Sequence, residues 1–560
     1  MTAFRRLITT VLLSLAATGL FAQTQTPAPR STEPVSAETD QDVNNARALR
    51  LSLDDAVRTS LERNLGIQVQ RFETRMAGQN LRGSHGAFDP VATADITQSS
   101  AESTSITQFE GGSTRGTALN FGFRGLVPTG GEYTAGFSNS RRVRSGFGTT
   151  LSPGYSSNLN FAATQPLLRD FGLDINRRAI TIARNTLGIT QEGFRTVLMD
   201  TTTAVEQAYL DLVYARRNIE VVKEALFLAR DQSRITQIRI DVGASAPLDI
   251  LQPRVQIATS EETLISATAS VRNAEDRLRQ LLNLDPADWD RPIIPTTDVD
   301  FTPTTINVAD AVQRAMTLRP ELRQQNFANE TLKVQYLYAR NQTLPLLDFN
   351  LGYGVSGIGG RTLDPQTGNP DPTVNSTGYF NSLQSIFEND FPSWNVGFNF
   401  ALPLTRIGQR AEAKRAELDL RQGQTTLEQQ RQNIMVDVRN TARAVDTAAR
   451  SIAASRTARE AAERNVEAER KRYENGMTTN FQVLQVQQQL SDARVRELNA
   501  LVGYAIALSA YHRAVGDTLD VRGITVEAPE PVDEPNFFPW LDRYNWLNYG
   551  SHVRLEEPTK

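Results

Sequence analysis

Apolar and polar residues alternate with a period of two in several segments of this chain. This pattern predicts β-strands with one apolar and one polar face. The apolar positions are Leu119, Phe121, Phe123, Tyr133, Phe137, Leu159, Phe161, Phe349, Leu351, Tyr353, Val396, Phe398 and Phe400. The alternation starts after Pro90 in the first half and returns near Phe349 in the second, so both halves contribute strands.

Outside the strand regions, the apolar residues follow the period of an α-helix. Residues 176–241, and a second segment that ends at Asn475, predict two very long helices. At a rise of 1.5 Å per residue, each is roughly 100 Å long. Shorter helices are predicted for 53–81, 247–283 and 480–515. A lone globular domain could not bury helices of this length, so we expect them to pack lengthwise against other helices.

Each long helix meets its return helix at a turn of the same design. Gly243 precedes Leu251, Gly476 precedes Leu484, and the offset is constant because 476 − 243 and 484 − 251 both equal 233. Glycine supplies a left-handed helix end, and the Ser, Thr, Asp and Asn residues that follow start the next helix. The chain therefore predicts two helical hairpins with matching tips.

The same order of elements is predicted twice. The segment from Leu51 resembles the segment from Ile306, an offset of 306 − 51 = 255. We predict a first repeat at 47–284, a Pro-rich linker at 285–305, a second repeat at 306–519 and a C-terminal periplasmic tail at 520–560.

The N-terminus has the order of a secretory signal peptide, with Arg5 and Arg6, an apolar run over 7–21 and small residues after it. We predict a signal peptide at 1–22 and a disordered leader at 23–46. The chain has no cysteine, which excludes lipidation, disulfides and thiolate metal sites. No later apolar run reaches the ~18 residues of a membrane-spanning helix, so any membrane crossing must use strands. The net charge of −4 does not suggest nucleic acid as a partner.

Chemical sites have little support in the sequence. Gly352, Gly354 and Gly357 match a dinucleotide-binding glycine pattern, but a loop follows them instead of the helix that binds the phosphates. The three histidines, His85, His512 and His552, are far apart and lack metal-ligand spacing. We therefore predict no cofactor, no metal and no enzymatic activity.

Taken together, these features resemble the TolC family of outer-membrane efflux proteins, over nearly all of 51–519. The resemblance rests on the duplication, both Gly-to-Leu-Gln tips, the Gln165-Pro166 and Leu402-Pro403 junctions and the segment Arg319-Pro320-Glu321-Leu322. It implies an α+β membrane protein, a homotrimer with a transmembrane β-barrel in outer-membrane lipid and a long periplasmic α-helical barrel built from two internal repeats. It also implies a passive exit duct of a tripartite efflux or type I secretion system, which works with a periplasmic adaptor and an inner-membrane pump.

The resemblance further implies a gate at the periplasmic tips. Asp249 is similar to the acidic residue of the first tip in the family, and Tyr473 is similar to the tyrosine of the second. Gln482 and Gln485 stand where the best-known members have acidic residues, so we expect a gate less sensitive to cations. The alternative is that these residues merely start helices.

The tips also carry small and hydroxyl residues, which allow close approach of another helical hairpin. We therefore predict that Gly243, Ala244, Ser245, Gly476, Thr478 and Thr479 dock the adaptor. The alternative function is a periplasmic helical-hairpin adaptor or scaffold, which would not need amphipathic aromatic strands. Neither the cargo nor the class of pump follows from the sequence.

One feature departs from the family. Between Thr117 and Ser140 the alternation continues through a turn at 128–131 and predicts an additional hairpin. The family norm is two membrane strands per half, or twelve per trimer, whereas this hairpin as membrane strand gives eighteen. The alternative is an extracellular flap, but a solvated flap has no need of Leu119, Phe121 and Phe137 on one side.

Overall fold

Two halves of the chain repeat one order of elements: two helices, strands, a long helix and a return helix. A computed structural model describes residues 48–103, 112–145, 149–364, 369–371, 378–526, 532 and 535. The first half contains β1 (Leu49–Leu51), α1 (Leu53–Arg63), α2 (Leu65–Ser84), β2 (Val91–Ser103), β3 (Gly112–Leu126), β4 (Glu132–Ser145), β5 (Leu151–Pro166), α3 (Leu173–Asn176), α4 (Arg178–Asp241) and α5 (Leu251–Leu282). The second contains β6 (Ile293–Pro295), α6 (Val308–Leu318), α7 (Pro320–Asn341), β7 (Leu346–Thr362), α8 (Tyr379–Phe387), β8 (Phe391–Ala401), α9 (Ile407–Glu474), α10 (Asn480–Val515) and α11 (Thr518–Val521).

Six of the described strands form one sheet in the order β2-β3-β4-β5-β7-β8, and every neighbouring pair is antiparallel. The predicted apolar positions lie opposite one another. Phe121 pairs with Phe137, and Tyr353 lies between Phe161 and Trp394. Because Phe121, Phe161 and Trp394 are exposed, one face of the sheet is apolar and uncovered over much of its area. We call it the apolar face; the other presents mainly Asn, Ser, Thr and Gly.

The additional hairpin predicted from the sequence is part of this sheet, as β3 and β4. Its turn is closed by hydrogen bonds from Gly130 N to Val127 O (2.8 Å) and from Val127 N to Gly131 O (2.7 Å). The carbonyl of Thr129 accepts from Gly172 N (3.3 Å), beside the start of the long helix α4. The turn therefore lies at the helical end of the sheet, as expected from counting strands.

The prediction of a single helix over 53–81 is wrong at one residue. Asn64 adopts an extended conformation between α1 and α2, and its side chain accepts from Gly66 N (2.8 Å) and Ile67 N (3.2 Å). Capping of this kind ends one helix and starts the next. The second half breaks at Arg319, where Pro320 begins α7, and 319 − 64 equals the offset of 255.

The segment 285–305, expected to be a linker, also contains strand β6. It pairs in parallel with β1, so that Leu49 lies opposite Ile293. The buried hydroxyl of Tyr209 on α4 donates to Leu51 O (3.0 Å) and accepts from Thr297 N (2.9 Å). The segment is thus held against the long helix of the first half.

The helical body is four helices wide. Next to the sheet the neighbours are α2, α4, α7 and α9, and towards the tips they are α5, α4, α10 and α9. Helix α9 therefore forms one edge throughout, and α2 and α5 form the other. No helix among the described residues combines the length and apolar character needed to cross a membrane.

Buried charges join the two halves in the middle of the body. Glu206 of α4 is 3% exposed; it accepts from Arg522 Nε (2.5 Å) and from the hydroxyl of Ser509. Burial lowers the pKa of the nearby His512, and the cations Arg314 and Arg522 lower it further, against the opposing effect of Glu206. These contacts fix the second hairpin to the first.

Arg319 does more than precede a helix start. It donates to the carbonyls of Arg513 and Ala514, both at 3.2 Å, at the end of α10. Burial raises the pKa of Glu321, but the charges of Arg319 and Arg513 outweigh burial, so the pKa lies below its ordinary value. The sequence Arg-Pro-Glu-Leu is therefore also part of an ion cluster.

The predicted signal peptide and leader lie outside the described residues, as does most of the tail. Of the tail's described part, Ile524 and Val526 pack against a buried cluster that includes Leu198 and Met199 of α4, and Val532 packs against a buried cluster that includes Leu81 of α2.

Candidate gate and docking site

The two tips have the same backbone geometry. Gly243 and Gly476 both have φ +73°, a left-handed conformation that favours glycine. Gly243 N donates to Ile240 O (2.9 Å) and the next amide donates to Arg239 O (2.7 Å). At the second tip, Gly476 N donates to Tyr473 O (3.0 Å), and the amide after it donates to a carbonyl five residues back (2.9 Å). Each long helix therefore ends in the turn that the glycine pattern predicted.

At the start of each return helix, a side chain from the predicted tip motif accepts a hydrogen bond from a backbone amide. Asp249 Oδ2 accepts from Ala246 N (3.0 Å), just before the first turn of the return helix. Thr479 accepts from Gln482 N (3.4 Å) through its hydroxyl and caps α10. Both residues have a structural role at a helix start, which for Asp249 was the alternative to a role in the gate.

A contact that the sequence did not predict joins the two tips. The guanidinium of Arg239, near the end of α4, lies 4.0 Å from the centre of the Tyr473 ring, near the end of α9. It also donates to the carbonyls of Tyr473 (2.7 Å) and Glu474 (3.4 Å). A cation at the end of α9 also suits the helix dipole. We call this contact the Arg239 latch.

The only sequence signal for the latch is its place in the repeat. Arg239 and Arg472 are separated by 233 residues, as the tip glycines are, so the two tips have an arginine at the same position. At the next position, however, the first tip has Ile240 and the second has Tyr473. Only the tertiary structure brings Arg239 of one hairpin onto the aromatic ring of the other.

Further contacts between the hairpins lie behind the latch. The buried side chain of Gln232 donates to Asn480 Oδ1 (2.6 Å), and Gln256 Nε2 donates to Gln488 Oε1 (3.2 Å). Arg494 of α10 donates to Glu224 of α4, and this hydrogen bond raises the pKa of the guanidinium. The two hairpins are therefore held together by amides and ion pairs near the tips.

The predicted gate residues lie in different surroundings within one protomer. Tyr473 is buried beneath Arg239, whereas Asp249 is exposed and bonded to its own turn. Within the described part of one protomer, no hydrogen bond joins Asp249 to Tyr473, Gln482 or Gln485. Gln485 is exposed and Gln482 is half-buried.

The predicted docking residues form the outer surface of the tips. Gly243, Ala244, Gly476 and Thr479 are exposed, and Ser245 and Thr478 are half-buried. A Cβ atom added at Gly243 or Gly476 would have no other heavy atom within 4 Å. Apolar side chains beside the turns are also open, and these are Val242, Leu248 and Met477, each more than 70% exposed. Such exposure is typical of a surface that another protein covers.

The described residues form neither a metal-binding cluster nor a dinucleotide-binding turn. Among the described residues, no group of His, Asp and Glu side chains is arranged to hold a metal ion. Gly352, Gly354 and Gly357 lie inside β7, where a dinucleotide-binding turn cannot form. Gly352 instead leaves room for Asn395 across the strand pair.

The family follows from the sequence match. The family model described as outer membrane efflux protein matches residues 132–284 and 311–517, which is more than half of the chain. The chain belongs to this family. The match includes both tips, the Arg239 latch and the cluster around Arg319.

Solved structures with the same fold are outer-membrane channels. The CmeC channel of Campylobacter jejuni is 16% identical with a TM-score of 0.62, and the match covers 86% of this chain and 87% of that one. VceC of Vibrio cholerae is 15% identical (TM-score 0.58; 83% and 96% covered). The open MtrE channel of Neisseria gonorrhoeae is 15% identical (TM-score 0.57; 83% and 89% covered). No curated protein matches the sequence.

Membership of the outer membrane efflux protein family makes this protein an outer-membrane efflux channel with a large periplasmic helical part. The alternative function, a periplasmic adaptor, is not favoured, because members of this family are transport channels.

Proposed function

We propose that three copies of this chain form one exit duct, with a shared barrel of eighteen strands above a shared barrel of helices. The observation that carries the proposal is the six-stranded sheet, whose two edge strands each lack a second partner among the described residues. Strands β2 and β8 are its edges, and they run in opposite directions. Open edges are not tolerated in lipid. Pairing β8 of one copy with β2 of the next closes an antiparallel barrel without any free edge.

The widths of the two layers support six strands in each copy. At a spacing of 4.8 Å and a tilt of about 40°, six strands occupy about 38 Å of the barrel circumference. Four helices with axes about 9 Å apart occupy about 36 Å. Four strands would occupy only about 25 Å, so the additional hairpin matches the sheet to the helices below it.

The helical edge offers a surface for the neighbouring copy. Leu65, Val69, Phe72 and Met76 form a stripe on α2, and each is more than 55% exposed. The buried residues of the same helix, Ile67 and Leu81 among them, lie on its opposite face. A helix with two apolar faces has two partners, of which α4 is one. We assign the other to α9 of the adjacent copy.

The lower ends of the hairpins form the gate in this proposal. The Arg239 latch holds the second hairpin to the first in each copy. Asp249, Gln482 and Gln485 line the narrow entrance formed by three copies. Opening then requires the hairpins to separate, so the latch must break.

The adaptor docks on the exposed tips around Gly243 and Gly476, and the inner-membrane pump delivers the cargo from behind it. The matching geometry of the two tips supports docking, because a trimer would present six similar turns in a ring. Small residues at these turns let a partner helix approach closely.

Assembly can be tested with one substitution in the α2 stripe. The native chain should give trypsin-resistant, heat-modifiable trimers in the outer-membrane fraction. Phe72→Glu places a charge in the proposed seam and should abolish these trimers. Arg75→Glu changes the charge of an exposed neighbour outside the stripe and should leave them intact. A native chain recovered as a soluble periplasmic monomer would refute the proposal, and electron microscopy of the trimer would distinguish eighteen strands from twelve.

A further inference from the structure

Helix α8, between β7 and β8, lies on the apolar face of the sheet. A Cβ atom added at Gly357 would be 1.9 Å from Ser382 O, and one added at Gly359 would be 2.5 Å from Gly378 O. Both glycines have odd numbers, as do Leu351, Tyr353 and Val355, so they lie on the apolar face of β7. Only glycine lets the helix backbone come this close to the strand.

The helix follows β7 towards the helical body. Its first turn lies beside Gly359, and its middle lies over Gly357. Beyond its end, Asn389 Oδ1 accepts from the hydroxyl of Tyr353 (2.7 Å). The helix has 9 residues and is about 14 Å long. It therefore covers the outer part of the strand, above Tyr353 and away from the helical body.

The helix covers polar side chains on the apolar face. Asn139 of β4 donates to Ser157 Oγ of β5 (2.7 Å), and Ser157 shares a hydrogen bond with Ser382 of the helix (2.9 Å). Ser157 and Ser382 are completely buried. Beneath the helix, the apolar face carries polar and small residues, whereas the next positions of β5 towards the helical body are Leu159 and Phe161. The helix thus hides groups that lipid would not solvate.

The outer side of the helix is apolar along one flank. Phe380 and Phe387 are 80% and 88% exposed, and they lie on the same side because seven residues make two helical turns. They are far more exposed than the buried Ile386, which faces the sheet side. Two open phenylalanines beside an apolar sheet extend its apolar surface.

The height of the apolar face explains why such an extension is needed. Phe349 and Val355 are six residues apart, and at a rise of about 3.4 Å per residue and a strand tilt of about 40° they are separated by about 16 Å along the barrel axis. The apolar band of an outer-membrane barrel is about 25 Å tall. The four further steps to Gly359 add about 10 Å, and α8 covers them.

We propose that α8 is embedded in the outer leaflet of the membrane, packed on the lipid side of the barrel, with Phe380 and Phe387 in contact with lipid acyl chains. The proposal rests on the barrel proposed above, which sets the apolar face towards lipid. It also gives a role to Gly357, the last glycine of the pattern that resembles a nucleotide-binding site, because Gly357 and Gly359 together make room for this helix.

The test uses nitroxide spin labels, and the absence of cysteine from the chain makes each engineered cysteine unique. Labels at Phe380→Cys and Phe387→Cys are compared in purified trimers in phospholipid bilayers. Collisions with dissolved oxygen should exceed those with a water-soluble nickel chelate at both positions. The ratio should be larger at Phe387, which lies deeper. Adding Gly357→Val to the Phe387→Cys chain should displace the helix and raise the mobility of the label.

Two control labels separate this proposal from the barrel itself. Phe398→Cys lies on the apolar face of β8, and Asn160→Cys lies on the polar face of β5. Oxygen should dominate at Phe398 and the nickel chelate at Asn160. If both controls behave so and the chelate dominates at Phe380 and Phe387, the helix is in water and the proposal is wrong. If the chelate dominates at Phe398 as well, the proposed barrel fails first.

Discussion

Removing the Arg239 latch should open the channel. Arg239→Ala deletes the guanidinium that lies on Tyr473 and bonds to two carbonyls at the end of α9. The truncated side chain leaves the backbone of α4 unchanged, because alanine is a good helix former. The carbonyls of Tyr473 and Glu474 lie at a helix end, where water can replace the lost donor. We therefore expect a looser tip in a trimer that still assembles.

The size of the effect follows from the contacts. A cation on an aromatic ring contributes about 0.5–1 kcal/mol at an exposed site. A hydrogen bond from a charged donor contributes about 1.5–3 kcal/mol. Because Arg239 is half-exposed, we take the lower end of both ranges, about 2 kcal/mol per protomer. Since 1.4 kcal/mol is a tenfold change, the ratio of open to closed tips should rise about 25-fold in each protomer.

The assay is single-channel conductance in planar bilayers, with uptake of a large antibiotic by whole cells as a second measure. Arg234→Ala is the matched control, because Arg234 is on the same helix and its ion pair with Asp231 (2.7 Å) lies within that helix. Arg239→Lys keeps the charge but loses the planar contact with the ring, so its conductance should lie between the native and alanine values.

The reasoning fails if Arg239→Ala and Arg234→Ala have the same conductance and the same antibiotic uptake. It also fails if Arg239→Lys has the conductance of the native chain, since the positive charge alone would then keep the tip closed. Trimer yield must be equal in all variants for either comparison to count.

Three further predictions concern docking, stability and pH. Gly243→Trp and Gly476→Trp should each stop export although trimers still form, whereas Gly243→Asn should export normally because asparagine tolerates a positive φ. Normal export by both Trp variants would exclude docking at the tips. Arg522→Ala leaves Glu206 buried without its cation and should lower the free energy of unfolding by about 3–5 kcal/mol in chemical denaturation. Adding Glu206→Gln removes the unpaired charge and should restore part of the lost stability; no recovery would contradict the ion pair between Arg522 and Glu206. The pKa of His512 is lowered from 6.5 in the folded chain, so as pH drops below 6.5 the unfolded chain binds a proton before the folded chain does, and stability should fall. His512→Gln should remove this pH dependence of the melting temperature; the same dependence in native and variant chains would refute the assignment.

The sequence alone determined the elements and their repetition. The long helices end where Gly243 and Gly476 predicted, because a left-handed helix end is a local property of the backbone. The alternation of apolar residues located strands β3, β4, β5, β7 and β8, since a two-residue period follows from strand geometry, although strands such as β7 continue beyond it to Thr362. The hairpin at 117–140 was also predictable, because Phe121 and Phe137 lie on one face with a tight turn between them. The break at Asn64 was missed because the apolar period continues through it.

Only the tertiary structure decided which residues of the two halves meet. Arg239 and Tyr473 are 234 positions apart, and no local pattern pairs an arginine in one hairpin with a ring in the other. The seat of α8 on Gly357 and Gly359 was equally hidden, because a glycine in a strand shows that space is needed without showing what fills it. Ser157 and Ser382 read as ordinary polar residues until the fold buries them together. Periodicity specifies the face of an element, whereas the partner of that face depends on how distant elements pack.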